Sequence, residues 1–267
     1  MKPRPFDYVR SDTVEEALDV LARYGEDARV LAGGQTLVAM LNLRLVETKV
    51  IVDISRLKEL DTIRVTGGTL EVGAAVTQNK LLAWPELSAR APLLAQMLPF
   101  VGHFQTRNRG TVCGSLAHAD PSSELPLALA MLDGEVVLKS KRATRTLKAS
   151  EFQTGMLTTA RQPDELIVAA RFSLASGKTA FREVARRHGD FAIVSVAARR
   201  IDGTRLRLGI GGADPKPFVR DVNSANGASL EDLVRELEPY EDMHASPHLR
   251  RDLVRNIAPL VAAEAMA

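Results

Sequence analysis

Two glycine-containing loops, each between a strand-like run and a helix-like run, constrain this chain more than any other feature. The first covers residues 31–36, and the second covers residues 107–126 with glycines at 110 and 114. Glycine lets the backbone approach a bulky ligand, and free N–H groups on such turns can bond phosphate oxygens. Unpaired N–H groups and the dipole at a helix start also favour an anion. The loops therefore predict an α/β arrangement in which two distant segments jointly hold one dinucleotide-like ligand.

The residues beside these loops extend this interpretation. Thr36 is expected to cap a helix whose apolar face carries Leu37, Met40, Leu41 and Leu45. Glu124 lies near the start of a predicted helix over residues 125–132, where its carboxylate could bond ribose hydroxyls. Neither loop has the pattern GxGxxG or GxxxxGK[ST], so a Rossmann site or a P-loop is not supported. Each loop alone could also be an ordinary glycine-rich turn.

The hydrophobic pattern elsewhere predicts short strands alternating with helices. An amphipathic helix over residues 13–24 is predicted to stop at Gly25, and residues 172–178 are predicted to form a linker. The other predicted elements are strands at 29–31, 50–54, 69–74, 135–140, 180–184, 193–201 and 205–210, and helices at 78–83, 93–97 and 246–265.

Composition narrows the kinds of function that are open to the chain. With 267 residues and 45% hydrophobic content, it can bury a sizeable core. A net charge of +2, basic clusters interleaved with acids and only 4% aromatic residues argue against nucleic-acid binding. No long apolar run and no apolar signal region occur, so we expect neither a transmembrane segment nor export.

The single cysteine, Cys113, limits the redox chemistry that the chain can carry. An iron–sulfur cluster needs four thiolates, or two thiolates and two histidines, so any cluster must lie on another polypeptide. The absence of an internal disulfide suits a reducing cytoplasm. His244 and His248 have the spacing of a helical metal pair, but two exposed helix histidines are the better account. We therefore expect no metal site, and no hydrolytic triad or catalytic carboxylate pair is found.

Several segments, in order along nearly the whole chain, resemble the FAD-binding medium subunit of the molybdenum hydroxylases, the family of xanthine dehydrogenase and carbon monoxide dehydrogenase. The segments that carry the resemblance are residues 4–18, 32–36, 41–45, 52–55, 107–126, 165–172, 181–198 and 242–257. The resemblance implies an α+β fold. An FAD-binding domain of the PCMH type is expected over residues 1–175, with α/β subdomains at about 1–56 and 57–175. A C-terminal domain over residues 176–267 is expected to hold a three-stranded sheet with helices.

The resemblance also implies the residues that contact FAD. The diphosphate-binding loops correspond to Leu31, Ala32, Gly33, Gly34, Gln35 and Thr36, and to Thr111, Val112, Cys113, Gly114 and Ser115. His118 either faces the cofactor or makes a structural hydrogen bond. Ile167 and Phe191 correspond to residues near the isoalloxazine, and Arg182 lies near a position that is basic in some relatives.

Two residues depart from the family pattern. Glu124 stands where a ribose-binding aspartate is usual, so the reach of the carboxylate changes. Cys113 stands where glycine is usual, and a side chain at positive φ would cost about 1 kcal/mol or more. We therefore expect an ordinary negative φ at Cys113. A thiol that takes part in redox chemistry is the alternative to a small buried side chain.

By this resemblance the chain is the flavoprotein subunit of a heterotrimeric molybdenum hydroxylase. A large partner would hold the molybdenum cofactor, and a small partner would hold two [2Fe–2S] clusters. FAD on this chain would pass electrons to an acceptor that the sequence does not identify. A cytoplasmic complex is expected, membrane-associated only through the complex, and a dimer of heterotrimers is left open. The alternatives are a self-contained FAD-dependent oxidase or reductase of the same fold, and a non-catalytic assembly subunit that has lost FAD.

Overall fold

A three-stranded parallel sheet with two helices forms the first part of the molecule. The structure is a computed structural model that describes residues 2–223 and 227–267, except for the side chains of residues 227–229. The elements are β1 (Asp7–Arg10), α1 (Val14–Tyr24), β2 (Ala28–Leu31), α2 (Leu37–Asn42) and β3 (Val50–Asp53), with strand order β1-β3-β2. Thr13 caps α1 by accepting a hydrogen bond from the Glu16 N–H, and Gly25 ends it at a φ of +50°. The predicted first helix is confirmed.

Helix α2 is shorter than the sequence predicts. It ends at Asn42, and the chain turns at Arg44, which has a φ of +58°. Leu41 is buried, but Leu45 lies beyond the helix and is exposed. Thr36 does occupy the N-cap position, yet its backbone is helical and its hydroxyl makes no capping bond. The predicted apolar face therefore holds for Leu37, Met40 and Leu41 but not for Leu45, and Thr36 takes the predicted N-cap position without the expected hydrogen bond.

A five-stranded antiparallel sheet surrounded by short helices forms the middle of the molecule. Its elements are β4 (Ile63–Thr66), β5 (Thr69–Gly73), α3 (Gln78–Leu82), α4 (Leu87–Arg90), α5 (Pro92–Met97), α6 (Phe104–Arg107), α7 (Val112–His118), α8 (Glu124–Met131), β6 (Glu135–Lys139), β7 (Thr144–Lys148), α9 (Ala149–Phe152), β8 (Gln153–Gly155), β9 (Thr158–Thr159) and β10 (Leu166–Ser173). The large sheet has the order β4-β5-β10-β6-β7, and β8 pairs with β9 separately. Strand β10 is central, and its Ala170 and Phe172 are fully buried.

The C-terminal part is a four-stranded antiparallel sheet with two helices. Its elements are β11 (Thr179–Val184), β12 (Val194–Arg200), β13 (Arg205–Gly211), β14 (Phe218–Asn223), α10 (Gly227–Glu236) and α11 (Pro247–Met266), and the strands follow chain order. The α+β fold class is confirmed, but the expectation of three strands is corrected to four. Strand β14 was missed because an edge strand in which only Val222 is buried has little hydrophobic pattern.

The two faces of the C-terminal sheet pack on different partners. Side chains alternate along a strand, so Val194 and Val196 of β12 join the small core under α11, whereas Ala197 joins the large core of the preceding parts. Helix α8 packs on this second face, and we call this contact the α8–sheet interface. A Cβ built on Gly209 would lie only 2.5 Å from the Sδ atom of Met131, so glycine permits the close approach.

Candidate functional site

The two glycine loops meet at one wall of a large cleft. Gly33 packs so tightly on the second loop that a Cβ built on it would lie 2.2 Å from the carbonyl oxygen of Arg109. Gly34 has a φ of +70°, a conformation that glycine adopts at little cost. Gly33 is therefore required by packing and Gly34 by backbone conformation.

Hydrogen bonds hold the second loop at the start of α7. Thr111 caps this helix by accepting a 3.0 Å hydrogen bond from the N–H of Gly114. The N–H of Gln78 donates to the carbonyl oxygen of Gly110 at 2.8 Å. The loop geometry is thus fixed by the protein itself.

Unpaired backbone donors lie on both loops. Within residues 2–223 and 227–267, the N–H groups of Gly33, Gly34, Gln35, Thr36 and Cys113 donate to no protein acceptor. Such donors can bond anionic oxygens. The donor set suits a diphosphate.

The cleft has a volume of about 650 Å³, within the usual range for small-molecule sites. It brings together most of the predicted contact residues, namely Ala32, Gly33, Gly34, Gln35, Thr36, Thr111, Cys113, Gly114, Ser115, His118, Glu124, Ile167 and Phe191. Leu31 lines a smaller neighbouring cavity of about 220 Å³. Val112 lies in the core with no exposed surface, and its side chain is not part of the cleft wall.

Arg182 is not brought to the cleft. It forms an ion pair with Glu264 of α11, on the face of the C-terminal sheet that α11 covers. The next residue of β11, Glu183, interacts with Glu124 instead. A shift of one residue along a strand turns the side chain to the other face, and the sequence does not show which face is which.

Two arginines at the cleft were missed by the sequence analysis. Arg29 of β2 and Arg161, which precedes β10, both line it. Burial and then the positive charge of Arg29 lower the pKa of the Arg161 guanidinium. Two cations at one wall favour an anionic ligand. No motif marks them, because each is a single residue in a different element.

Glu124 supplies a buried carboxyl group to the cleft. It is the first residue of α8 and is 3% exposed. Burial, followed by the neighbouring Glu183 and Asp120, raises its pKa above the ordinary value. Beside it, the hydroxyls of Ser115 and Ser123 form a 2.9 Å hydrogen bond. A carboxyl in this place can bond a ligand hydroxyl, so the longer glutamate does reach the cleft.

The remaining predicted contacts form an apolar and aromatic wall. Ile167 is buried, whereas Phe191 is 59% exposed although it lines the cleft. His118 also lines it, with Nε2 at 3.9 Å from Oδ2 of Asp120. An aliphatic side chain and an accessible aromatic ring suit a flat ring system.

Cys113 is accommodated as a small buried side chain. It has no positive φ, as expected, and its Sγ lies 3.7 Å from the carbonyl oxygen of Val72. Burial raises the pKa of the thiol to about 12. The thiol is therefore protonated at neutral pH, which does not favour the redox alternative.

The described residues show neither a metal-binding group nor a membrane-spanning helix. They contain no group of three or more His, Cys, Asp or Glu residues that could hold a metal ion. His244 precedes α11, so it does not share a helix with His248, and the description of both as helix histidines is corrected. None of the described helices is both long and apolar enough to cross a bilayer.

Comparisons with known proteins identify the family of this chain. Residues 4–172 match the family described as the FAD binding domain in molybdopterin dehydrogenase. The alpha subunit of the 6-hydroxypseudooxynicotine dehydrogenase complex from Paenarthrobacter nicotinovorans is 34% identical, with 100% of this chain and 96% of that protein covered. The glyceraldehyde dehydrogenase medium chain of Sulfolobus acidocaldarius is 33% identical, with 96% of both covered. The crystal structure of quinoline 2-oxidoreductase from Pseudomonas putida 86 superposes with a TM-score of 0.93 at 32% identity, covering 100% of this chain and 98% of that one.

The residues of the cleft fit FAD. Unpaired N–H groups suit its diphosphate, the Glu124 carboxyl suits a ribose hydroxyl, and the Ile167 and Phe191 wall suits its ring. The resemblance inferred from the sequence is confirmed by the family match and by relatives that align over nearly the whole chain. The chain therefore belongs to the FAD-binding medium subunits of the molybdenum hydroxylase family, which are components of oxidoreductases.

Proposed function

We propose that this chain is the flavoprotein subunit of a heterotrimeric molybdenum hydroxylase, in which electrons from [2Fe–2S] clusters on a small partner pass through FAD to an external acceptor. The observation that carries the proposal is the cleft, where two loops present unpaired N–H groups beside a buried carboxyl and an apolar wall. A large partner holds the molybdenum cofactor and hydroxylates the substrate. The names of the relatives, a dehydrogenase complex subunit and a medium chain, support this assembly.

Each part of the cleft has a role in the proposal. The N–H groups of residues 33–36 and of Cys113 bind the diphosphate, and Arg29 and Arg161 add positive charge. Glu124 binds a ribose hydroxyl. Ile167 and Phe191 pack against the ring and restrict water around it. When bound, FAD supplies a redox group that exchanges one or two electrons, whereas the protein positions and tunes it.

The partners follow from what this chain lacks. One thiolate cannot hold an iron–sulfur cluster, and the described residues contain no metal-binding group. We propose a cytoplasmic complex, with a dimer of heterotrimers as one form of it. We also propose the division into domains at residues 1–175 and 176–267, which is supported by the end of the family match at residue 172.

Purification of the complex from its native host, with an absorption spectrum and subunit masses, tests the proposal. Flavin bands over iron–sulfur absorption, together with one large and one small partner, are expected. Flavin on a chain without partners would instead favour a self-contained oxidase or reductase. A complex that contains the chain but no flavin would favour an assembly subunit and contradict the proposal.

A further inference from the structure

A buried polar cluster lies at the α8–sheet interface, next to the cleft. It consists of Glu124, Glu183 and Ser195, of which Glu124 is 3% exposed and Ser195 fully buried. The Oε2 atom of Glu183 and the hydroxyl of Ser195 have no hydrogen-bond partner in the described part of the chain. Unpartnered buried polar atoms are uncommon, so the cluster calls for a physical explanation.

Strand register brings Glu183 to this interface. Glu183 lies opposite Ser195 between β11 and β12, and Ser195 lies opposite Gly211 between β12 and β13. Directly opposed side chains in antiparallel strands project from the same face. A Cβ on Gly211 would lie 2.5 Å from the Oγ atom of Ser195 and 3.4 Å from the carbonyl oxygen of Pro121. The loop before α8 therefore covers these polar side chains closely.

The two carboxyl groups of the cluster are in hydrogen-bonding contact with each other. Two ionised carboxylates offer four acceptor oxygens and no donor, so this contact requires a proton on one of them. A shared proton thus accounts for the close approach.

Among the residues that the structure describes, no cation pairs with either carboxyl group. Asp120 adds further negative charge beside Glu124, and around Asp120 lie His118, with Nε2 at 3.9 Å, and Tyr240, whose hydroxyl bonds that of Ser122 at 3.1 Å. Arg182 points to the other face of the sheet, where it pairs with Glu264. Burial is the main cause that raises the pKa of both Glu124 and Glu183. Near neutral pH the pair therefore keeps at least one proton.

We infer that Glu183 is a positioning residue of the cofactor cleft, which shares one proton with Glu124 across the α8–sheet interface and holds that carboxyl toward the cleft. Glu183 does not line the cleft, so it acts only through Glu124. The inference rests on the proposed function in one respect, namely that Glu124 binds a hydroxyl of FAD. The shared proton fixes one oxygen of Glu124, and the other oxygen stays available to the ligand.

The shared proton gives stability and FAD affinity a definite pH dependence. Glutamates in the unfolded chain titrate near pH 4.3, whereas the folded pair binds its proton to higher pH. The folded state then binds more protons, so the free energy of unfolding falls as the pH rises through the raised pKa range. Loss of the proton leaves two carboxylates in repulsion, which turns Glu124 out of its position and weakens FAD binding.

The test compares four forms of the full chain between pH 6 and pH 9. They are the wild type, Glu183→Gln, Glu124→Gln, and the control Glu264→Gln on the opposite face of the sheet. The urea midpoint of the FAD-free chain and the dissociation constant for FAD, from quenching of flavin fluorescence, are measured for each. Above the raised pKa of the pair, the wild-type dissociation constant is expected to rise about tenfold per pH unit, as loss of one linked proton per molecule gives.

In Glu183→Gln, the urea midpoint and the dissociation constant for FAD are both expected to depend less on pH than in the wild type. The reason is that the amide donates a hydrogen bond to Glu124 without titrating. Glu124→Gln should flatten the urea profile in the same way, and Glu264→Gln should leave both profiles unchanged. If the urea midpoints of Glu183→Gln and Glu124→Gln change with pH as the wild-type midpoint does, the inference is overturned. FAD binding, and with it the proposed function, would be unaffected by that result. A pH-dependent urea profile without FAD binding at any pH would contradict the proposed function and the positioning role, and would leave only the shared proton.

Discussion

Single residues at the cleft show why neighbouring positions in one motif are not equivalent. The close approach of Gly33 to Arg109 leaves no room for a side chain, whereas Gly34 needs its positive φ. The thiol of Cys113 is tolerated because it points into the core beside Val72 rather than into a strained turn. Each position thus responds to a different physical requirement.

Replacement of Gly33 by alanine is expected to weaken FAD binding. The added methyl group would lie 2.2 Å from the carbonyl oxygen of Arg109, so the two loops must separate. We expect the dissociation constant for FAD to rise at least about tenfold, or ~1.4 kcal/mol, in a fluorescence titration. Gly203→Ala is the matched control, since a Cβ there meets nothing within 4 Å. Unchanged affinity in Gly33→Ala would show that the contact between the loops is not needed.

Cys113 is expected to resist alkylation in the folded chain. The thiolate is the reactive form, and burial raises the pKa of this thiol to about 12. Treatment with iodoacetamide at neutral pH, followed by intact mass measurement, should leave the native chain unmodified and add one group in urea. Rapid modification of the native chain would contradict this prediction and would favour a role of the thiol in redox chemistry.

Cleft residues within recognisable segments could be predicted from the sequence, and isolated ones could not. Glu124 and Phe191 were assigned by their place in a recognisable segment, and both line the cleft. Arg29 and Arg161 belong to no motif, and only the fold brings them together. Glu183 was overlooked in favour of Arg182, because the pattern along β11 does not reveal which side chain faces α8.

At the scale of elements, α11 is tied to the C-terminal sheet by one buried arginine. The Arg250 side chain is 1% exposed and pairs with Asp242 at 2.5 Å. It also donates to the carbonyl oxygens of Ile193 at 2.6 Å and Gly212 at 2.7 Å. These two residues lie at adjacent ends of the central strands β12 and β13, so Arg250 fixes the end of the sheet that follows Phe191 in the chain.

Arg250→Leu is therefore expected to destabilise the chain strongly. It would remove the ion pair with Asp242 and the charged donor to the carbonyl oxygens of Tyr240, Ile193 and Gly212, at a cost of about 3–5 kcal/mol in the free energy of unfolding by urea. Lysine is not expected to restore the loss, because it lacks the planar fork of donors. Arg255→Leu on the same helix is the control, since its exposed pairs contribute about 0–1 kcal/mol. Similar losses in both variants would contradict the special role of Arg250.

Elements with a strong hydrophobic period were predictable, whereas those set by tertiary context were not. Helix α1 and strands β5 and β6 occur within a residue or two of their predicted bounds. The end of α2 was missed, because the turn at Arg44 contains no glycine that would indicate it in the sequence. Strand β14 was missed because its strand conformation depends on pairing with β13 and is not evident from its own composition.

At the scale of the whole molecule, the cleft is built from all three parts of the chain. The first loop joins β2 to α2, the second loop precedes α7, and residues 189–191 come from the C-terminal part. A ligand that contacts all three should stabilise the folded chain as a unit, because it binds the folded and not the unfolded form. The two predicted loops and the predicted Phe191 thus line one cleft.

Binding of FAD to the purified full chain tests the central claim most directly. After incubation with FAD and removal of free cofactor, flavin absorbance per chain and the urea midpoint are measured for the wild type and for Gly33→Ala. We predict one FAD per wild-type chain, a rise in unfolding free energy of about 2.7 kcal/mol when FAD is at 100 times its dissociation constant, and weaker binding in Gly33→Ala. A folded wild-type chain that retains no FAD and keeps the same urea midpoint at every FAD concentration would contradict the assignment of the cleft.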